Sequence, residues 1–284
     1  LYALLGMLLP LFRDVSNRML LVSAFGLLAV PIAVDFIVEL SGIYPSASVV
    51  ELQQTYCDKY GITDENFAYW LRDAKHYSGT FKFLVQGALV RVQEFIDGNR
   101  YFKVLGLFIL GFYIGRNRLY ADLESRRPVL RQIARYGFGF GLPLSLFYAW
   151  SIMNNYPQSL GAHSVLYFTS VFPLSFAYVA SICLCFLRYP RWGIFRFFAM
   201  PGRMALTNYI GQSLFGILLF YGIGWGFGAE TGLVYVILIA IGVWIVQALF
   251  SNVWLHYCQF GPLEWIWRML TYGRVFNLLK RKSI

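Results

Sequence analysis

Charged residues are scarce in this chain of 284 residues. Asp, Glu, Lys and Arg together make up 13% of the sequence, whereas roughly a quarter of residues are charged in an average soluble domain. Histidine occurs three times and cysteine four times, and the cysteines and histidines form no CxxC pair or zinc-ligand spacing. The composition therefore argues against an ordinary soluble domain and a disulfide framework, and it predicts no bound metal.

Long apolar runs take the place of charge, and 58% of the chain is hydrophobic. In lipid, backbone N–H and C=O groups must be bonded within the protein, so continuous runs of this kind predict helices rather than alternating barrel strands. The predicted fold is all-α: a polytopic transmembrane helical bundle with a small helical extracytoplasmic cap. Seven spans are predicted, at Leu1–Phe12, Leu20–Leu40, Tyr101–Gly115, Tyr136–Met153, Val165–Leu187, Met204–Gly226 and Leu233–Phe250.

The basic residues are divided unequally between the two sides of these spans. Seventeen of the 24 Lys and Arg residues lie in four stretches that fall on the same side, namely residues 13–18, 116–135, 188–203 and 268–282. Because positive flanks are retained in the cytoplasm during insertion, this side is predicted to be cytoplasmic, in a multi-pass protein of the bacterial inner (plasma) membrane. The net charge of +10 is then explained by anionic lipid headgroups, and no nucleic acid partner is expected.

Four regions are predicted along the chain. They are the first two spans at residues 1–40, the extracytoplasmic cap at 41–100, a five-span membrane core at 101–250, and an interfacial helix with a basic cytoplasmic tail at 251–284. The first span is shorter than the roughly 20 residues that cross a bilayer. It is therefore expected to be the end of a span whose start lies outside this sequence.

One helix of the predicted cap has an apolar stripe, so the helix is expected to lie along the membrane interface or to pack over the bundle; a mobile lid is the alternative. The stripe consists of Phe81, Leu84, Val85, Ala88, Leu89 and Val92, and the opposite face carries Lys82, Gln86, Arg91 and Gln93.

Gly137, Gly139 and Gly141 form a GxGxG string within the fourth span. No strand precedes the string, which argues against a phosphate-binding loop. Small residues allow transmembrane helices to approach closely, so these glycines predict tight helix packing.

A polar string opens the sixth span. Asn208 and Gln212 are four residues apart on one helical face, and buried amides are costly unless they are hydrogen-bonded. Gln247 and Ser251, also four apart, are expected to face them from the next span. Hydrogen bonding between helices and the lining of a substrate pocket remain open alternatives. The candidate substrate-binding residues are Asn208, Gln212, Ser213, Arg203, Gln247, Arg91 and Arg268.

The string Gly261-Pro-Leu-Glu-Trp-Ile-Trp-Arg268 predicts an interfacial helix near the C-terminus. Pro262 suits the first turn of a helix, and Glu264 favours its positive end. Glu264 and Arg268 are predicted to form an i,i+4 ion pair.

Asp35, His163 and His76 are the candidate catalytic residues. An acid within a membrane span is a functional candidate by default, although pairing with an Arg or a backbone amide would also explain Asp35. A histidine at a membrane interface is more often a tolerated polar group than a catalyst. A position of His163 beside Asp35 would favour catalysis.

Three strings, GRMALTNYIGQS (202–213), LLFYGIGWG (218–226) and GPLEWIWRMLTYG (261–273), make the chain resemble the YeiB family of bacterial inner-membrane proteins, the domain of unknown function 418. Weaker agreement covers LYALLGMLLPLFR (1–13), HYSGTF (76–81) and LGLFILGFYIGR (105–116). Members of this family begin with several more helices, including a first span with Arg, Asp and Gly, which this sequence does not contain.

The family is distantly similar to multi-span acyltransferases, which implies a transfer of acyl groups from a cytoplasmic donor, such as acyl-CoA, to an extracytoplasmic acceptor. The expected partners are membrane lipids and a small-molecule, lipid or glycan substrate, with no permanently bound cofactor. A transporter or lipid-handling protein and a structural membrane subunit are the alternatives. The resemblance names no catalytic residue in this chain, and the oligomeric state stays open.

Overall fold

The computed structural model of the chain describes residues 2–155 and 158–280, without the side chain of Ala68. Within these residues the structure is helical, and no β-strand forms. The α-helices are α1 Tyr2–Gly6, α2 Asn17–Ser41, α3 Ala47–Tyr60, α4 Asp64–Asp73, α5 Tyr77–Asp97, α6 Arg100–Arg116, α7 Arg127–Met153, α8 Leu160–Arg188, α9 Gly193–Arg203, α10 Ala205–Phe220, α11 Leu233–Tyr257 and α12 Pro262–Tyr272. A 3-10 helix at Leu9–Phe12 follows α1. The predicted all-α fold is confirmed.

Three helices of the described residues are long and apolar enough to cross a membrane. They are α2, α8 and α11, with 25, 29 and 25 residues. The other predicted spans fall on α1 with the 3-10 helix and on α6, α7 and α10. Helix α9 was not predicted, because its sequence lies in a basic stretch that was interpreted as a connection between spans.

The chain divides into two compact units. Unit 1 comprises Leu1–Leu52 and Leu89–Tyr189, and unit 2 comprises Gln53–Ala88 and Pro190–Ile284. Both units therefore contain part of the segment predicted as the cap, and the four predicted regions stay a prediction.

Helix α2 lies at the centre of unit 1, where it packs against α6 and α8. Leu20 and Ala24 of α2 and Ile109 of α6 are fully buried in this contact. Gly106 permits the close approach of α6, because a Cβ atom there would lie 2.9 Å from the carbonyl oxygen of Ala24. At one end of this pair, Arg116 donates to the carbonyl oxygens of Arg13 and Val15, 3.1 and 2.7 Å away.

Helices α7 and α8 form the most extensive helix pair. A Cβ atom at Gly137 would lie 2.5 Å from the carbonyl oxygen of Pro173, and one at Gly141 would lie 2.8 Å from the backbone nitrogen of Leu174. A Cβ atom at Gly139 would meet no atom within 4 Å. Two of the three glycines therefore form the expected tight contact, and they are the pair spaced four residues apart on one helix face.

Unit 2 contains α9 to α12 together with α4. Helix α10 contacts α9, α11 and α12, and the glycine-rich loop after α10 contacts the end of α4. The backbone nitrogen of Gly222 donates to the carbonyl oxygen of Leu71 at 2.8 Å, and a Cβ atom at Gly222 would collide with the carbonyl oxygen of Arg72. Arg72 also donates to Asp73 at 2.7 Å, which holds the pKa of that carboxyl below its ordinary value, and it forms an ion pair with Glu230.

The apolar stripe of α5 is only partly packed among the described residues. The buried side chains of this helix are Thr80 and Gln86, whereas Phe81 and Leu84 of the apolar stripe are 53% and 41% exposed. In unit 2, the first half of α5 instead turns Phe83 towards α4, where its ring centroid lies 4.9 Å from that of Phe67. An aromatic residue beside the stripe thus makes a contact that the pattern of aliphatic residues did not predict.

The packing of α7 on α8 predicts opposite effects for neighbouring glycines. Gly137→Ala should lower the free energy of unfolding by about 1–3 kcal/mol, because the added methyl group overpacks the contact with Pro173. Gly139→Ala, the matched control, should be neutral or slightly stabilising, since alanine has the higher helix propensity. Thermal unfolding of the two purified variants in one detergent measures both effects, and equal melting temperatures would contradict the described packing.

Candidate functional site

Asp35 is the buried acid of unit 1. It lies on α2, is 7% exposed, and accepts hydrogen bonds on both carboxylate oxygens. Asn99 Nδ2 donates to Oδ1 at 2.8 Å, and the hydroxyl of Ser164 donates to Oδ2. These two neutral donors come from α8 and from the residue before α6, so the carboxylate joins three segments of the chain.

The backbone at Asn99 explains how its amide reaches Asp35. Asn99 precedes α6 with φ +49°, a left-handed conformation that asparagine adopts more readily than most residues. Its side chain is buried and also accepts a hydrogen bond from the Tyr101 hydroxyl at 3.1 Å. The side-chain amide of Asn99 therefore donates one hydrogen bond and accepts another within the cluster.

Two basic groups lie near this carboxylate. Lys103 and His163 are both close enough to Asp35 to interact with it electrostatically. The Lys103 ammonium lies over the Tyr167 ring, 4.4 Å from its centroid, and the His163 ring lies 5.3 Å from that of Tyr148. His163 directly precedes Ser164, whose hydroxyl bonds Asp35, and a catalytic role of His163 stays a prediction.

A cavity of about 250 Å³ opens beside Asp35. Asp35 and Asn99 contribute its buried polar wall, and Asp97 contributes an exposed carboxylate. The remaining lining residues are Val34, Val38, Tyr44, Pro45, Ile96 and Leu160. This volume accommodates several water molecules, each of which occupies about 30 Å³ in the liquid, or a small polar group of a substrate.

Glu39, one turn after Asp35, fixes the start of α8. Its carboxylate accepts a hydrogen bond from the backbone nitrogen of Gly161 at 2.9 Å, and a negative charge is favourable at the N-terminus of a helix. Gly161 also packs directly against the ring of Phe36, where a Cβ atom would collide. These contacts set the register that brings His163 and Ser164 to Asp35.

In unit 2, Asn208 is the centre of a second polar cluster, between α10 and α11. Asn208 Nδ2 donates to Ser251 Oγ at 3.0 Å and to the carbonyl oxygen of Pro201 at 3.2 Å. Gln247 Nε2 donates to the carbonyl oxygen of Asn208 at 2.9 Å. Ser251 and Gln247 are 0% and 6% exposed. The predicted contact of Asn208 with Gln247 and Ser251 is present, and it joins the two helices.

Glu264 links the first turns of α10 and α12. Its carboxylate accepts from the Thr207 backbone nitrogen at 3.0 Å and from the Thr207 hydroxyl at 2.5 Å, and the same hydroxyl accepts from the Leu263 backbone nitrogen at 3.1 Å. Both helix starts gain partners for free N–H groups in this way. The Glu264 carboxylate thus bonds Thr207, and the predicted ion pair with Arg268 is not formed among the described residues. The Arg268 guanidinium stacks on the Phe260 ring, 4.5 Å from its centroid.

A cavity of about 730 Å³ in unit 2 lies next to this link. Arg203 and Arg268 supply its cationic groups, and Glu264 supplies its carboxylate. The other lining residues are Gly202, Ala205, Leu206, Gln259, Phe260, Trp267, Thr271 and Tyr272. We call this space the arginine cavity.

The other candidate residues lie outside both clusters. Gln212 is exposed and lines a separate, mainly apolar groove of about 340 Å³ between α10 and α11, and Ser213 donates to its own helix at Tyr209. Arg91 is exposed and forms an ion pair with Glu94 at 2.6 Å, and His76 is exposed at the residue before α5. This groove lies between the two helices that carry Asn208, Gln212 and Gln247, and the binding roles of the candidate residues stay predictions.

Several residues of the Asp35 cluster were missed from the sequence. Asn99 and Ser164 gave no signal, because asparagine is common in loops and serine in transmembrane helices. Lys103 did give one: a lysine within the predicted span Tyr101–Gly115 must pair with an acid or reach the surface. Applied to Lys103, this rule indicates Asp35 as the acid near it.

The helical architecture, the three helices suited to crossing a membrane and the buried polar clusters define a polytopic helical membrane protein. The model of the family described as "Protein of unknown function (DUF418)" matches residues 114–274, more than half of the chain. The chain therefore belongs to the DUF418 family, and the predicted resemblance to YeiB proteins is confirmed.

Three curated relatives are similar to the chain. The uncharacterized protein YxaH of Bacillus subtilis (strain 168) is 26% identical over 280 residues, which cover 95% of this chain and 65% of YxaH. An uncharacterized 39.9 kDa protein in the amylase 3' region of Bacillus acidopullulyticus is 38% identical over 39% of this chain and 32% of its own length. The uncharacterized protein YeiB of Escherichia coli (strain K12) is 44% identical over 26% of this chain and 18% of YeiB.

The chain thus spans less than two thirds of the length of each of these relatives. No solved structure matches it.

The two amides of α10 predict different costs of substitution. Asn208→Leu should lower the free energy of unfolding by about 1–2 kcal/mol, because it removes the hydrogen bonds to Ser251 and Pro201 inside the helix pair. Gln212→Leu, four residues along the same helix, should change it by less than about 0.5 kcal/mol because the side chain is exposed. Thermal or denaturant unfolding of both variants tests this difference; an equal loss would contradict a structural role specific to Asn208.

Proposed function

We propose that the protein is a membrane acyltransferase in which Asp35 acts as the general base for an extracytoplasmic acceptor. The observation that carries the proposal is the cluster around Asp35, where a buried carboxylate lines a cavity and interacts electrostatically with an ammonium and an imidazole. A buried, hydrogen-bonded carboxylate at a cavity with basic groups nearby is a candidate catalytic site.

In the proposed step, an acceptor hydroxyl enters the cavity beside Asp35. The carboxylate takes the hydroxyl proton while the acceptor oxygen attacks the carbonyl carbon of a thioester donor such as acyl-CoA. The new C–O ester bond forms, the C–S bond breaks, and the proton passes to the leaving thiolate. Lys103 stabilises the negative charge that develops on the carbonyl oxygen, as donors of this kind do in acyl transfer.

His163 has a positioning and proton-holding role in this proposal. His163 lies on α8, next to Ser164, whose hydroxyl bonds the Asp35 carboxylate, and it interacts electrostatically with Asp35. The lining of the cavity is formed by Asp35 rather than by His163. This placement supports Asp35 as the group that meets the acceptor.

Transport coupled to a proton or cation is the second candidate function. It is favoured by the same buried carboxylate, because an acid among apolar helices with a cation nearby is a common feature of ion pathways. The two candidates differ in their product: a transporter leaves the acylation of envelope glycans and lipids unchanged, whereas an acyltransferase changes it.

Acyl transfer is tested with Asp35→Asn in the full-length protein, expressed in a cell that lacks the native gene. The expected result is a loss of envelope O-acylation by about two orders of magnitude or more, which is the usual contribution of a general base. Asp97→Asn is the matched control, because Asp97 lines the same cavity but is exposed and lies outside the cluster. Mass spectrometry of envelope glycans and lipids provides the readout.

The melting temperature of each variant separates loss of chemistry from loss of folding. Should Asp35→Asn unfold, Lys103→Met provides the second variant, with the same expected loss of O-acylation. An acylation pattern that does not differ between cells with and without the native gene would overturn the proposal and favour transport or a structural role.

A further inference from the structure

The arginine cavity is chemically suited to a ligand that the Asp35 cluster does not explain. We propose that it binds the phosphate group of an amphiphile, with the phosphate between Arg203 and Arg268 and the apolar part along α12. Two sources supply this chemistry: a soluble nucleotide-based thioester such as acetyl-CoA, or an anionic phospholipid of the adjacent leaflet.

The residues that line the cavity carry more positive than negative charge. Glu264 is the sole acidic residue among the lining residues, which all belong to the described part of the chain, and both of its carboxylate oxygens are bonded to Thr207. Arg203 and Arg268 are both exposed at the cavity. An anionic group of a ligand therefore finds two cations there and a carboxylate that is already hydrogen-bonded.

The geometry of each guanidinium leaves donors for such a group. Arg203 uses Nη2 to bond the carbonyl oxygen of Gln259 at 3.2 Å, and a guanidinium carries five N–H donors. The Arg268 guanidinium lies over the Phe260 ring, and an arginine over an aromatic ring can still donate hydrogen bonds from the edge of its planar group. Arginine edges of this kind match the oxygens of a phosphate and bond it in a bidentate manner.

The size and surroundings of the cavity favour an amphiphile over a free phosphate ion. About 730 Å³ is within the range of sites for drug-sized ligands. Trp267 lines the cavity and is 63% exposed, and Leu270 on the same helix is 80% exposed. An aromatic ring at a membrane surface accepts both a polar and an apolar neighbour. The surface of α12 thus continues the cationic cavity with an apolar strip.

Binding is measured directly on the purified full-length protein, without turnover. Isothermal titration calorimetry with acetyl-CoA tests the soluble source. For the lipid source, the protein is placed in nanodiscs of phosphatidylcholine with or without phosphatidylglycerol, and the phospholipid that stays bound to the protein after purification is measured. Arg203→Gln and Arg268→Gln should each weaken binding about tenfold, since each removes a charge-assisted hydrogen-bond donor set. If Arg268→Gln fails to fold, Arg268→Lys replaces it, because lysine keeps the charge and loses the bidentate edge.

Arg274→Gln is the matched control. Arg274 lies two residues after the end of α12 and over the Phe276 ring, 4.8 Å from its centroid, but it does not line the cavity. Binding of acetyl-CoA or selective retention of phosphatidylglycerol that Arg203→Gln and Arg268→Gln reduce, and Arg274→Gln does not, supports the proposal and names the source. Absence of both, or an equal reduction by Arg274→Gln, overturns it.

Ligand binding at the arginine cavity is independent of acyl transfer at Asp35. Asp35→Asn should therefore bind acetyl-CoA or phosphatidylglycerol like the unaltered protein. If the ligand still binds and envelope acylation is unchanged, the proposal of acyl transfer is overturned and that of the arginine cavity stands. If binding is lost and acylation is intact, the proposal of the arginine cavity is overturned and that of acyl transfer stands.

Discussion

Polar groups that lie among apolar helices must find their partners inside the protein, and this constraint organises both units. In unit 1, Asp35 is held by Asn99 and Ser164, and in unit 2, Asn208 is held by Ser251. A buried group without a partner costs several kcal/mol where water is absent. Each cluster therefore helps to fix the mutual position of its helices, and its hydrogen bonds, unlike apolar contacts, require a particular orientation of the side chains.

The sequence predicted the features that depend on local pattern. Apolar runs located the helices, because length and composition alone decide whether a helix can cross a membrane. The small residues Gly137, Gly139 and Gly141 predicted tight helix packing, which Gly137 and Gly141 make with α8, and the four-residue spacing of Gln247 and Ser251 predicted the partners of Asn208. In each case the period of the helix places the side chains on one face without further information.

Features that depend on tertiary choice were missed or wrong. Glu264 had two electrostatically reasonable partners, Arg268 on its own helix and the free N–H groups at the start of α10, and the structure joins it to Thr207. An exposed i,i+4 ion pair contributes only about 0.2–0.5 kcal/mol, whereas a carboxylate bound to a free N–H and a hydroxyl gains two charge-assisted hydrogen bonds. The energetic difference decides the partner, but the sequence does not show which helix starts lie together.

The match to the DUF418 family separates the two sites. Residues 114–274 contain the whole arginine cavity and the Asn208 cluster, whereas Asp35, Asn99 and Lys103 precede this segment. The proposed binding at the cavity thus depends on residues of the recognised segment, whereas the proposed chemistry at Asp35 requires the preceding helices as well. YxaH is similar over 280 residues, a length that exceeds the family segment. An alignment of this length includes the helices that carry Asp35 and Lys103, so these helices are part of what the chain shares with YxaH.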